Sequence, residues 1–397
     1  MGALWQTDSN KAAVATDSPD QTPLPQSARS RKLWWRLVWL VLLVAVAALA
    51  WAASKEMRTS RLQAEHLSPF AASLSYRVEP GASDAMIYPG DGPFDRRLGY
   101  SSLDEFLPRL LKRNYLIQAQ ARFSPALMNY AAQGLFVPYA EKVQAGLNIS
   151  DCRATPLYTF TYPQQLYASF AMIPPLVVQS LLFIEDRDLL DPKHPLANPA
   201  VDWPRFAKAA WSQVAKLLHL PGQTAGGSTL ATQLEKYRHS PDGLTPSGGE
   251  KIRQMLSASV RAYQAGPNTV GSRQNILRDY LNSVPLSAVP GHGEVHGLAQ
   301  GLRVWFAADF NQVNQALNGT AQDPASLTTR GLALRQVLSL MIAQRRPSYY
   351  LNKGRDELAQ LTDSHLRLLA QNNIIAASLA DAALAGQVTY RDWQQQP

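Results

Sequence analysis

The chain has a single cysteine, Cys152, so no internal disulfide, cysteine-rich zinc site or CxxC redox pair can form. Cys152 lies in Ser150-Asp151-Cys152-Arg153 with no histidine nearby in sequence, which makes it a structural cysteine rather than a thiol nucleophile. No lysine has a serine three residues before it and no K-T-G occurs, which excludes S-x-x-K acyl-enzyme chemistry. Charge is also scarce. Charged residues make up 17% of the 397, below the usual quarter, as a membrane segment would cause. The net charge of +8 fits anionic lipids, phosphates or nucleic acid. However, the basic residues after position 54 form no stripe with aromatics, which argues against a nucleic-acid partner. There is no internal repeat.

Residues 1–32 are rich in Ser, Thr, Gln, Asp and Pro, a composition that buries too little apolar surface to order, and they read as a disordered tail. Arg29, Arg31, Lys32 and Arg36 then lead into an uncharged run from Leu37 to Ala53. At about 1.5 Å per residue this run, extended by Leu33, Trp34 and Trp35, spans the hydrocarbon core. Trp34, Trp35, Trp39 and Trp51 sit near its ends, where aromatic belts form. Residues 33–53 are therefore expected to be a single-pass anchor, with the N-terminus cytoplasmic and the remainder outside. The rival reading is a cleaved leader, because Ala48-Leu49-Ala50 resembles a processing site. The long tail and long apolar run favour the anchor.

Residues 54–165 mix short helical and strand-like stretches, among them an amphipathic pattern over Leu103–Leu116, and read as a small α+β accessory region. From 166 to 397 the pattern is mainly α. Pro174-Pro175 opens a helix that is apolar nearly all round to Leu190, the mark of a buried element. Further helices are expected over 204–218, 229–237, 250–264, 273–281, 297–306, 332–344 and 356–371.

Three segments carry chemistry. The buried helix ends in Phe183-Ile184-Glu185-Asp186-Arg187, where an acid at the edge of an apolar stretch is a candidate proton acceptor, or simply a solvated helix end. The second is Gly226-Gly227-Ser228-Thr229-Leu230-Ala231-Thr232-Gln233-Leu234-Glu235-Lys236. Its glycines permit close backbone approach, Ser228 or Thr229 can cap a helix, and Thr229, Gln233 and Lys236 share one helical face suited to a phosphate. Taken alone, it is equally a flexible loop with a cap. The third runs from Ile276-Leu277-Arg278-Asp279-Tyr280-Leu281-Asn282 through a Gly291–Gly297 stretch, read as an irregular loop, to Trp305-Phe306. His292 and His296 within it have the spacing of a metal pair, but no third ligand is evident.

In this order the segments resemble glycosyltransferase family 51, the peptidoglycan glycosyltransferase module of class A penicillin-binding proteins. The family's motifs read roughly E-D-x-x-F, G-G-S-T-I-T-Q-Q, R-K-x-x-E, I-L-E-x-Y-L-N and Y-F-G. The resemblance covers about residues 174–345 and includes no transpeptidase domain. It implies a lysozyme-like helical domain that polymerises lipid II into glycan strands. The donor is an undecaprenyl-pyrophosphate sugar, and the acceptor is the 4-hydroxyl of another lipid II. By motif match Glu185 is the general base, with Asp186 beside it. Gly227, Ser228, Thr229, Gln233 and Lys236 form the pyrophosphate side. Lys251, Arg253 and Asn282 are further substrate-binding candidates. The resemblance also implies membrane lipids, a separate transpeptidase or other cell-wall proteins as partners, and the bacterial inner membrane as location. Family members often use a divalent cation, although no ligand set for one is visible.

The match departs at one catalytic position. Glu250-Lys251-Ile252-Arg253-Gln254 aligns with R-K-x-x-E, so Gln254 stands where the family has its second glutamate. An amide cannot hold a negative charge or take a proton as a carboxylate does. The arginine upstream of R-K has no counterpart, Ile-Leu-Glu becomes Ile276-Leu277-Arg278, Tyr-Phe-Gly becomes Trp305-Phe306-Ala307, and His194 falls two positions late. Two classes stay open: a divergent polymerase with Glu185 and Gln254 at the catalytic positions, and a degenerate lipid II-binding scaffold or regulator. Glu250 or Glu294 could stand in for the lost carboxylate. A lytic enzyme shares the shape, but hydrolysis needs no pyrophosphate site.

Overall fold

The structure, a computed structural model, describes residues 28–90, 92–138, 143–203, 228–321 and 323–391. The expected helix over 204–218 lies outside these, as does Gly227. The chain divides into two compact units, Met1–Lys55 and Glu56–Pro397.

A single apolar helix, α1, runs over Ala28–Thr59, and its stretch Trp34–Thr59 is long enough to cross a membrane. Leu37, Leu40, Leu43, Val46 and Leu49 are all exposed, as on a helix built to face lipid. The helix is compatible with a single-pass anchor.

The second unit begins with α2 (Arg61–Ser73), followed by β1 (Tyr76–Pro80), α3 (Pro93–Arg97), α4 (Leu103–Leu111), β2 (Ala119–Phe123), α5 (Pro125–Ala132) and a hairpin of β3 (Ala145–Ser150) with β4 (Pro156–Tyr162). β1 pairs with β2 antiparallel, Val78 opposite Ala121. The amphipathic helix expected to reach Leu116 stops at Leu111. Asn114 takes a left-handed φ of 63°, and Phe106, Leu110 and Leu111 stay exposed. Residues 56–137 do not form a core alone. Ala64, Leu74, Phe123, Leu127 and Tyr130 bury against Val260 and Tyr263 of α8, defined below. Asn198 reinforces the seam: its amide bonds the Gln63 and Ser259 side chains at 2.9 Å each.

The remainder is α6 (Pro175–Glu185), α7 (Leu230–His239), α8 (Gly248–Ala262), α9 (Val270–Ser283), β5 (Pro285–Val289), β6 (Gly293–His296), α10 (Gly297–Phe306), α11 (Phe310–Asn318), α12 (Pro324–Ala343), α13 (Pro347–Tyr350), α14 (Arg355–Gln371) and α15 (Ala377–Ala385). α12 is the central element. Leu334, Val337, Leu338, Leu340, Met341 and Ile342 are buried, and α6, α10, α11, α14 and α15 pack around it. The Gly291–Gly297 stretch is a β5–β6 hairpin rather than an irregular loop, with Val289 opposite Gly293. Its glycines are required: Gly291 and Gly293 have φ near 74° and 89°. At Gly297, φ is 73° and a Cβ would stand 2.3 Å from the Asn282 carbonyl oxygen.

Candidate active site

α6 is apolar because it threads the core, with Val177 and Leu181 fully buried. Its last residue is Glu185, since Asp186 turns extended (φ −161°). The helix therefore delivers one carboxylate to the rim of a cleft of about 990 Å³.

Two carboxamides hold that carboxylate. Gln233 of α7 donates to Oε2 at 3.2 Å, and Gln344, just beyond α12, donates to Oε1 at 3.0 Å. The amide orientations follow from two phenols. Tyr237 donates to the Gln344 oxygen at 3.2 Å and lies 3.3 Å from that of Gln233, while Tyr280 reaches the Gln233 oxygen at 3.5 Å. Burial raises both phenol pKa values, with the Glu185 charge adding to the effect. The phenols therefore remain donors, the amide oxygens point at them, and the NH2 groups point at Glu185.

α7 starts where Thr229 caps it, its hydroxyl accepting from the Thr232 amide at 3.3 Å. Three residues after Gln233, Lys236 comes up on the cleft face, its ammonium 4.4 Å from the Tyr237 ring centre. Burial lowers its pKa, partly offset by the Glu185 charge. Across from it on α8, the Lys251 ammonium donates to the Ser228 hydroxyl at 2.7 Å. Burial, and then the nearby Lys236 charge, push Lys251 down to about 8. The Lys251 ammonium and the Ser228 hydroxyl thus meet at the start of α7, with Lys236 further along the same helix, an arrangement that favours an anion with several oxygens.

The other expected residues have different surroundings. Thr229 is buried and spends its hydroxyl on the cap. Asp186 borders a smaller cavity with Asp191, His194 and Arg273. Arg253 points away from the cleft, donating to the Gly134 carbonyl and lying 4.4 Å over the Phe136 ring. Asn282 clamps the Tyr167 backbone, accepting at 2.8 Å and donating at 2.9 Å. Gln254 is 1% exposed and bonds the hydroxyls of Ser240 (2.9 Å) and Thr245 (3.0 Å), while Ser240 donates onward to Glu250. None of Thr229, Asp186, Arg253, Asn282 and Gln254 is among the residues lining the cleft, nor is Lys251, which meets it through Ser228.

The glycine-rich segment contributes otherwise than as a metal site. His296 lines the cleft with its Nε2 2.9 Å from Glu294, and His292 turns its Nε2 toward Gln300. Among the described residues, no three His, Cys, Asp or Glu side chains are placed to hold a metal ion.

Gln344, Tyr237 and Arg273 were not singled out from sequence. Arg273 is 1% exposed and donates to the carbonyls of Leu189 (2.9 Å), Asp191 (3.2 Å) and His194 (3.0 Å), fixing the loop that follows Glu185. A buried cation spending its donors on three carbonyls is detectable only after folding.

No curated protein matches the chain. The transglycosylase family model does match, over residues 153–371, more than half of the 397 residues. That span contains Glu185, the Ser228–Lys236 segment, Lys251 and Gln344, and its lysozyme-like helical domain agrees with the mainly α second unit. The chain belongs to the transglycosylase family, whose activity is glycan polymerisation in cell-wall synthesis.

Proposed function

We infer that the protein polymerises lipid II, with Glu185 as general base and Lys236 on the pyrophosphate side. The observation that carries this reading is a single carboxylate, gripped by two oriented amides at the rim of a cleft that also presents Lys236 and Ser228. Glu185 takes the proton of the acceptor's 4-hydroxyl as that oxygen bonds to the donor's anomeric carbon. The bond to pyrophosphate breaks, and the charge developing on the leaving group is met by Lys236, Lys251 and the Ser228 hydroxyl. The amides of Gln233 and Gln344 keep the carboxylate aimed, so it needs no reorientation when substrate arrives.

The N-terminal helix supports a single-pass location in a bacterial inner membrane. The basic cluster before it favours a cytoplasmic N-terminus and a catalytic portion outside. Both substrates are lipid-linked, so an anchored enzyme meets them in two dimensions. In this reading residues 166–397 carry the chemistry and 54–165 are accessory to it.

One observation favours a second reading, a lipid II-binding scaffold without turnover: Gln254 stands at the family's second glutamate position, and its amide is held in a buried hydrogen-bonded network. Polymerisation of labelled lipid II by the full chain in detergent, beside Glu185→Gln, separates the two. The enzyme reading expects glycan strands from the wild type and a loss of about 10²–10⁴-fold in the variant. Binding of lipid II without polymer from either protein would establish the scaffold instead.

A further inference from the structure

The cleft has a second cationic corner, built by a segment that precedes the family-matched residues. α3 lies flat against the C-terminal end of α7. At Gly92 the approach is so close that a Cβ would stand 2.1 Å from the Arg238 carbonyl oxygen. One turn on, Asp95 is 2% exposed and bonds His239 Nδ1 at 3.0 Å and the Gly92 amide at 3.2 Å. Phe94 is buried between the guanidinium groups of Arg97 and Arg238, at 4.7 and 5.3 Å. These contacts fix α3, and α3 ends on Arg97, which lines the cleft.

Arg97 Nη1 is buried, and none of the described residues accepts a hydrogen bond from it. The acids and phenols nearby are engaged elsewhere: Glu294 bonds His296, and the Tyr162 hydroxyl donates to the Glu294 backbone carbonyl. Burial works against the guanidinium charge, and Tyr162 and Glu294 offset this only in part. Arg97 is carried by α3, whereas Lys236 is carried by α7 three residues after Gln233, which bonds Glu185. The two cationic corners are therefore distinct parts of one cleft.

We propose that Arg97 is a further substrate-binding residue, whose guanidinium takes an oxyanion of the substrate in this cleft. It rests on the reading of the cleft as a lipid II site. The shared chemistry is a planar fork of N–H donors facing two oxygens, and the source is either a phosphate of a lipid carrier or a carboxylate of the sugar-linked peptide. Because α3 lies before residue 153, the family-matched segment alone lacks this contact.

The test measures binding of labelled lipid II to the full chain in detergent for wild type, Arg97→Gln and Arg97→Lys, with thermal melting as a folding control. Arg97→Gln is expected to weaken binding roughly tenfold to a hundredfold, with a retained melting transition. Arg97→Lys keeps the charge but not the fork, and should recover part of that loss. A lipid-linked disaccharide pyrophosphate without peptide then identifies the source. An equal loss on this probe assigns a phosphate, and no loss assigns a peptide carboxylate. If Arg97→Gln binds lipid II within twofold of wild type while Lys236→Met binds more weakly, the proposal is overturned and the lipid II reading stands. If wild type binds no lipid II, both fall together.

Discussion

In our motif reading Glu185 and Gln254 stand at the family's two glutamate positions, and their surroundings differ in kind. Glu185 ends a core helix at the cleft rim, where two amides hold it as an acceptor. Gln254 sits nearly two turns into α8 among Ser240, Thr245 and Glu250, 1% exposed and away from the cleft lining. The first site is arranged to stabilise a negative charge beside substrate. The second is arranged to need no charge at all, because an amide both donates and accepts among hydroxyls. A motif position can thus keep its place on a helix while its chemical task is lost, and in our reading the proton transfer falls to Glu185 alone.

Exchanging the carboxylate and amide at the two positions breaks this comparison most directly. Glu185→Gln carries the largest expected effect on turnover, the loss of about 10²–10⁴-fold given above. It should leave lipid II binding nearly unchanged, because Lys236 and Ser228 remain. Loss of binding and turnover together would assign Glu185 to substrate affinity rather than proton transfer.

Gln254→Glu restores the family's residue and should do harm. The new carboxylate loses the NH2 group that donates to Ser240 and Thr245, and it lies beside Glu250, which already accepts from Ser240. Burying a charge with too few donors should cost at least about 2 kcal/mol. For a unit of this size that is a melting temperature lower by roughly 4 °C or more. Polymerisation rate per folded molecule should not rise. A rate increase of tenfold or more would mean that position 254 does reach the chemistry.

How much of this was legible beforehand depended on sequence distance. Glu185, Ser228, Gln233 and Lys236 were readable because each lies in a short motif whose spacing survives in local structure. Gln344 was not, since it stands 159 residues from the carboxylate it holds. The phenols Tyr237 and Tyr280 carry no signal in sequence that sets them apart from other aromatics. α11 has Phe310, Val313 and Leu317 spaced for one helical face, but two asparagines between them, among few apolar residues, weaken that pattern in sequence. The β5–β6 hairpin was hidden by its glycines, which read as loop but serve as the turn and the start of α10. Residues 54–165 gave no visible chemistry, and Arg97 shows why. A lone arginine acquires meaning only from the helix that aims it.

A smaller effect tests the ammonium pair. Lys251 titrates at about 8 in the folded protein, below its ordinary value, because of burial and Lys236. Raising the pH through about 8 removes its charge, so kcat/KM should fall on that basic limb if Lys251 holds the pyrophosphate. The sign on stability is opposite. A lysine whose folded pKa is depressed destabilises the fold while charged, and that cost vanishes as pH rises. Lys251→Arg stays charged throughout and should move the limb upward. An unmoved limb would assign it to another group.

The finest comparison is between neighbours in the Gly-Gly-Ser-Thr segment, where two hydroxyls have equal standing by spacing alone. Ser228 lines the cleft and receives the Lys251 ammonium, whereas Thr229 caps α7 from a buried position. Thr229→Ala should therefore cost about 1 kcal/mol of stability, some 2–4 °C in melting temperature, with kcat/KM per folded molecule nearly unchanged. Ser228→Ala should do the reverse, leaving the melt in place and weakening substrate binding severalfold through loss of one anion contact. If Thr229→Ala weakens binding at an unaltered melting temperature, the cap is not its main role, and both hydroxyls belong to the anion site. The expected separation would mean that within this segment the residue at 228 meets the ligand while its neighbour shapes the helix end, a division that spacing alone could not reveal.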